Sequence, residues 1–183
     1  MAIVRAAYEL FAEHGYEATT VADIAEAAEV SPRTISMYFP TKADIALSRF
    51  SQGVAGLTDA IRARRPGETV RDVFSHWFLT TQVEPEDLEL QLLARQMFAA
   101  NPELAALRTA RMAAAIRECA AMIAVDTGLA ADAVGPRLAA AAAAAMVTEI
   151  VDTAPGADRD RALAAAMRFL EAGTAALSTS VGP

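Results

Sequence analysis

Between Thr19 and Lys42 the chain reads TTVADIAEAAEVSPRTISMYFPTK, and the punctuation of that stretch leaves room for two short helices, a tight turn and little else. Thr20 suits an N-cap, with Asp23 three residues on where a capping box places its carboxylate, and Val21, Ile24 and Ala28 share one helical face. The turn falls near Glu29 and Val30. Ser31 is a second N-cap, and Pro32 takes the first helical position, where its fixed φ helps and its missing N–H costs nothing, so a short helix runs to about Tyr38. Thr41 opens a third helix, with Asp44 again three residues on. Two short helices across a tight turn are the layout of a helix-turn-helix, whose second helix enters the major groove of DNA.

Length and charge limit what can surround this motif. The 183 residues hold one ordinary domain or a small head and a larger body, and 54% hydrophobic content is ample for a core. No run of about 18 uninterrupted large apolar residues is present, and Met1 to Arg5 lacks the pattern of a secretion signal, so the expected setting is cytoplasmic, with no membrane. The single cysteine, Cys119, leaves no disulfide framework and no multi-cysteine zinc site. A net charge of −7 argues against a general nucleic-acid coat, which draws its affinity from a broad cationic surface. Up to Phe50 the basic residues are Arg5, Arg33, Lys42 and Arg49, against Glu9, Glu13, Glu17, Asp23, Glu26, Glu29 and Asp44. Placement answers that objection: Arg33 lies in the first turn of the second motif helix and Lys42 at the start of the next, which predicts few phosphate contacts per subunit and dependence on a dimer.

The remainder reads as helices separated by breakers. Thr41 to about Ala63 is expected as one long connector, ended by Arg64-Arg65-Pro66-Gly67. Val70, Val73, Phe74, Trp77, Phe78 and Thr81 form an amphipathic stripe. Glu84-Pro85-Glu86-Asp87 and Asn101-Pro102-Glu103 each open a further helix, and the second of these stops at Gly128, a good C′ residue. Arg137 to Thr153 is nearly all small residues, and after Ala154-Pro155-Gly156 a final helix runs from Asp158 to about Leu177. No segment alternates with period two, so the chain is expected to be all-α, with about nine helices.

From Ala6 to Ile45 the chain resembles TetR/AcrR-type transcriptional regulators. The resemblance is carried by the helix end from Phe11 to Gly15, Thr19-Thr20, Ile24-Ala25, Val30-Ser31, Thr34, Tyr38-Phe39 and Lys42. It implies a helix-turn-helix head over residues 1–46, joined by a long helix to a ligand-binding and dimerisation body over 47–183. It assigns Ser31 to Tyr38 to the recognition helix, with Pro32, Arg33, Ser36, Met37 and Tyr38 outward and Val30, Ile35 and Phe39 inward. Arg33 is the expected base contact, since a guanidinium binds guanine O6 and N7 bidentately, whereas Met37 offers only apolar contact with a thymine methyl. Thr20, Thr34, Tyr38 and Lys42 match positions that hold phosphates, contacts that set register without reading sequence. Two departures stand out. The family often has glycine where this chain has Glu29, which implies either strain or a turn kept in the right-handed region, and the basic arm that commonly precedes the first helix is nearly absent.

For the body, the resemblance implies a cavity among the middle helices, with Leu57, Ile61, Phe74, Trp77, Phe78, Phe98, Met112, Ile116, Met146 and Ile150 as candidate lining and an apolar or amphipathic effector. A stripe of aromatics and methionines serves a plain core equally well. Arg108 and Arg111 are surface residues or partners for an acidic ligand group. The last two helices are expected to form a self-complementary interface in which alanines allow close approach and Leu138, Met146, Ile150 and Phe169 are larger knobs, with Ala142 and Ala165 among the small positions. High alanine propensity alone is the plainer account.

His14 and His76 lie in different parts of the chain, no nucleophile with its base can be assembled, and no phosphate loop is present, so no enzyme and no cofactor are expected. Glu84, Glu86, Asp87 and Glu89 suit a helix start better than a metal. The reading that follows is a dimeric, ligand-responsive regulator of a palindromic operator in double-stranded DNA, most simply a repressor. The rival is a helical dimer that senses a small molecule or binds a protein without reading DNA.

Overall fold

The computed structural model describes residues 2–80, 85–130 and 132–179, and over these it is built of ten helices with no strand. They are α1 (Ala2–His14), α2 (Val21–Ala27), α3 (Pro32–Tyr38), α4 (Lys42–Ala46), α5 (Ser48–Arg62), α6 (Val70–Thr80), α7 (Pro85–Ala100), α8 (Leu104–Thr127), α9 (Val134–Asp152) and α10 (Ala157–Thr179). Thr81 and Glu84, which the sequence assigns to helix ends, lie outside the described residues.

The expected connector from Thr41 to Ala63 is two helices rather than one, broken at Leu47. Ile45, Ala46 and Leu47 are all buried, and three consecutive residues at about 100° apiece cannot point to one side of a straight helix. The break re-aims the chain: the Leu47 N–H is shared between the carbonyls of Ala43 and Ile45, and α5 resumes at Ser48. This is why the count is ten and not nine.

Packing groups the chain into two units, Met1–Gly53 with Val83–Arg111, and Val54–Gln82 with Met112–Pro183, so the divisions fall inside α5 and α8. The first unit is built on one core. Tyr8 and Phe11 of α1, Ile24 and Ala25 of α2, Ile35 of α3 and Ile45 of α4 meet Leu90 and Met97 of α7 and Leu104 of α8. Thus α1 packs on α2, α4 and α7, and α3 hangs from α2. In the second unit α10 packs on α9 and α6, and Leu57, Ile61, Val73, Phe74, Trp77, Met112, Ile123 and Ile150 are buried. Ion pairs from Arg62 to Glu118 at 2.7 Å and from Arg64 to Asp126 at 2.6 Å tie the end of α5 to α8.

The α2–α3 turn resolves the question raised by Glu29. Its φ is +52°, so the turn is left-handed and not right-handed. The Val30 N–H reaches back to the Ala25 carbonyl at 2.9 Å and the Glu29 N–H to Glu26 at 3.1 Å, the paired bonds of a Schellman end. Gly128 closes α8 in the same way, with φ +70° and the Leu129 N–H on Ala124 at 3.0 Å. A side chain in the left-handed region costs about 1–2 kcal/mol, partly offset because glycine loses more entropy on folding, by about 0.5–1 kcal/mol. Glu29→Gly is therefore expected to stabilise the fold by up to about 1 kcal/mol, a Tm rise of up to about 4 °C at fixed protein concentration. A lower Tm would show that the Glu29 side chain contributes more than its backbone costs.

Candidate nucleic-acid interface

Three caps in succession set the geometry of α2, α3 and α4. At the first, the Asp23 N–H donates to Thr20 Oγ1 at 3.2 Å, and the Thr20 N–H donates to Asp23 Oδ2 at 2.8 Å. At the second, the Thr34 N–H donates to Ser31 Oγ at 3.1 Å, the two hydroxyls lie 2.8 Å apart, and Pro32 fixes the first turn. At the third, the Thr41 N–H and hydroxyl donate to Asp44 Oδ2 at 3.0 and 2.7 Å, and the Asp44 N–H donates back to Thr41 Oγ1 at 3.2 Å. Each cap satisfies N–H groups that a helix start leaves without partners, so these short helices begin at set residues.

Helix α3 is anchored by one side chain. Ile35 is 1% exposed, Thr34 and Phe39 are half-buried, and Pro32, Arg33, Ser36, Met37 and Tyr38 face outward, Met37 at 75% and Tyr38 at 69%. The Ser36 hydroxyl donates to the Pro32 carbonyl at 3.1 Å, which leaves its oxygen as an acceptor on the outer face. The exposed face therefore offers one permanent cation, one hydroxyl acceptor, a soft apolar side chain and a phenol. Thr20 stands exposed at the start of α2.

Lys42 is placed differently from the other residues of this set. Its ammonium turns back into the protein, donating to the carbonyls of Tyr16 at 2.6 Å, Thr19 at 3.0 Å and Glu17 at 3.4 Å, and lies 4.3 Å from the centre of the Tyr16 ring. The same turn is held from its other side by a residue that sequence reasoning did not single out. Asn101, 2% exposed, accepts from the Tyr16 N–H at 2.5 Å and donates to the carbonyls of Phe11 at 2.8 Å and Met97 at 2.7 Å. In the sequence Asn101 carries only the signal of a helix start, a role it also fills, since the Leu104 N–H bonds its carbonyl.

Arg111, a ligand candidate by sequence, pairs with Asp44 of α4. Arg108 is no surface residue: it is buried, with its guanidinium 4.3 Å from the Phe98 ring centre and 4.8 Å from that of Phe50. Phe98 and Arg111 thus belong to the first unit, and the other candidates for a cavity lining belong to the second. There Leu57, Ile61, Phe74, Trp77, Met112 and Ile150 are buried, while Phe78, Ile116 and Met146 are half-buried. Trp77 meets Phe78 edge-on at 4.7 Å, and the Thr148 hydroxyl lies 3.5 Å from Met112 Sδ. Of the residues given to a self-complementary interface, Leu138, Ala165 and Phe169 are exposed and Ala142 and Met146 half-buried, but Ile150 is turned into its own subunit.

Comparison with known proteins matches residues 3–48 to "Bacterial regulatory proteins, tetR family" and residues 63–175 to "MftR C-terminal domain". The chain is 38% identical over 89 residues to the HTH-type transcriptional regulator TcmR of Streptomyces glaucescens, a match covering 49% of this chain and 39% of that protein. The chain thus spans about two-fifths of the length of the curated relatives it matches. Among solved structures it is similar to Thermus thermophilus FadR, described as a TetR-family transcriptional repressor in complex with lauroyl-CoA, with 27% identity, a TM-score of 0.54, and coverage of 94% of this chain and 93% of that one. PfmR, also from Thermus thermophilus, shares the fold at 22% identity and a TM-score of 0.52, with 92% and 96% covered.

The caps also leave a pH signature. Hydrogen bonds from the Thr20 backbone N–H and hydroxyl hold the Asp23 carboxyl below its ordinary value, and the Thr41 bonds, followed by Arg111, do the same to Asp44. A carboxyl depressed by folding contributes stability above its unfolded value of about 3.9 and loses it as pH falls through the folded value. Asp23→Asn with Asp44→Asn is expected to melt below the parent at neutral pH, with the gap closing as pH drops below about 4. A gap independent of pH would remove the charged caps from the account.

Proposed function

Since this chain belongs to the TetR family of bacterial regulatory proteins, we propose that it is a cytoplasmic, dimeric repressor that reads a near-palindromic operator with α3 and is released by an amphipathic effector. The observation that carries the reading is the outer face of α3, where Arg33, Ser36, Met37 and Tyr38 are exposed around an anchor, Ile35, that fixes the helix. Arg33 serves as the base contact to guanine, and Met37 covers a thymine methyl. Ser31, Pro32, Thr34, Tyr38 and Thr20 lie along the backbone and set register. With one arginine on this helix and an acidic surround, a single subunit has little electrostatic affinity, so two copies must act together. Two recognition helices about 34 Å apart enter successive major grooves, and the two-fold axis of the protein is mirrored in the site.

That axis runs between the outer faces of α9 and α10. Val134 and Leu138 on α9 and Phe169 on α10 are 66%, 65% and 60% exposed, and Ala141, Ala145, Ala165 and Ala172 are exposed at helical spacing from them on the same faces. Small residues flanked by a few large ones suit close helix packing against an identical copy. The effector is assigned to the second unit, around Trp77, Phe78, Met112, Ile116 and Met146, where apolar and soft side chains suit an acyl chain. FadR, in complex with lauroyl-CoA, supports a thioester-linked chain as the first probe. No catalytic role is assigned to any residue.

The test is binding of the purified protein to DNA flanking its own gene, in a salt series and against competitor DNA. Saturable binding to one near-palindromic fragment is expected, with Arg33→Ala weakening it at least tenfold, since each bidentate guanine contact is worth about 1–3 kcal/mol. Weak, sequence-blind binding would favour a sensor that does not read DNA. Leu138→Glu with Phe169→Glu is expected to give a monomer at micromolar concentration in light scattering, and a persistent dimer would place the interface elsewhere. Lauroyl-CoA is expected to lower operator affinity, and no change at saturating concentration would exclude that effector class.

A further inference from the structure

Residues 15–19, between α1 and α2, are gripped from two sides by side chains distant in sequence. Gly15 turns the chain with φ +90°, and the Thr19 hydroxyl closes the turn on the Gly15 carbonyl at 2.9 Å. Asn101 takes the Tyr16 N–H and the Phe11 carbonyl, and Lys42 takes the carbonyls of Tyr16, Glu17 and Thr19. A lysine ammonium has three protons to donate, and three carbonyls receive them here, with the Tyr16 ring beneath. Both N–H donors of Asn101 are likewise engaged, by two carbonyls, and its oxygen accepts one N–H. The turn ends at Thr19, 2% exposed, and the next residue is Thr20, the N-cap of α2. Helix α2 in turn carries α3 across the left-handed turn at Glu29.

We propose that Lys42 and Asn101 are positioning residues that hold α2 and α3 in reading geometry by gripping the turn of residues 15–19 from opposite sides. Lys42 then contributes to operator affinity through the placement of α3 and not as a phosphate ligand, because its donors are spent inside the protein. The inference rests on DNA reading as proposed above. It adds Asn101, at the α7–α8 junction, to the residues that determine how well α3 meets the groove.

The phosphate and positioning roles separate in a salt series. The protein and its Lys42→Met, Lys42→Arg and Asn101→Ala variants are measured on the operator from about 50 to 300 mM salt. Positioning predicts that all three bind roughly tenfold or more weakly with the parent's slope of log K against log salt, and that Lys42→Arg does not rescue, since a planar guanidinium cannot follow an ammonium into a cup of three carbonyls. A Lys42→Met slope shallower by about 2, from two lysines per dimer at about 0.9 each, with Lys42→Arg binding like the parent, overturns the inference, as does unchanged affinity in Lys42→Met and Asn101→Ala. Amide hydrogen exchange decides the matter without DNA. Faster exchange across residues 16–38 in Lys42→Met and Asn101→Ala, with residues 112–179 unchanged, is the expected result, and unchanged exchange overturns the grip. Failure of the parent to prefer any fragment would instead defeat the DNA reading, leaving the grip to stand or fall on exchange.

Discussion

Helices α1 to α4 do not close their core by themselves, and the first unit of this protein is organised around that shortfall. So short a segment has much surface for its volume and buries too small a share of it to be more than marginally stable alone. Here Phe11, Ile24, Ile35 and Ile45 meet in the head, and the space around them is finished by Leu90 and Met97 from α7 and Leu104 from α8. The placement of α3 therefore depends on a segment about fifty residues further along the chain. Polar groups accompany the apolar ones: Arg5 pairs with Glu89 at 2.7 Å, Arg111 with Asp44, and Asn101 fills the buried end of α1. A buried asparagine that makes three hydrogen bonds to backbone groups is costly to disturb, because each orphaned partner would lose its hydrogen bond without regaining water.

On that platform the surface of α3 is economical. Ile35 turns inward, Thr34 is half-buried and the other residues of α3 are exposed, with Ser31 and Pro32 fixing where the helix starts. Up to Phe50 the chain carries four basic and seven acidic side chains, so under the proposed DNA reading a single subunit has little electrostatic affinity and a few well-placed groups on paired subunits must supply the specificity. The strain at Glu29 fits the same pattern. A non-glycine residue held at φ +52° is tolerated because the Schellman bonds and the cores of α2 and α3 over-determine the turn.

The second unit follows a different rule. Its inner faces carry Phe74, Trp77, Ile123 and Ile150, while α9 and α10 leave alanines and a few large apolar residues uncovered. By length and composition α9 would pass for a membrane span, but 33% of its most apolar stretch is buried in the fold, and core helices of proteins that never meet a membrane share that length and composition. Leu138 and Phe169 project where alanines would allow a second helix pair to approach, whereas Ile150 on the same helix as Leu138 points inward.

While the outward set on α3 followed from the family resemblance, the amino-acid sequence by itself determined the rest of the local design: the capping boxes of Thr20 and Thr41, the Ser31-Pro32 start of α3 and the Gly128 stop. Each depends on hydrogen bonds or side-chain directions within about four residues, which periodicity and punctuation encode directly. It did not reveal the break at Leu47, which follows from the burial of three successive residues against partners far along the chain. Nor did it show that Lys42 turns inward, that Arg108 is buried between two phenylalanines, or that Asn101 joins α1 to the α7–α8 junction. Those outcomes were decided by tertiary structure, because a long or polar side chain has several partners of similar energy, and only the packing of distant helices places one within reach.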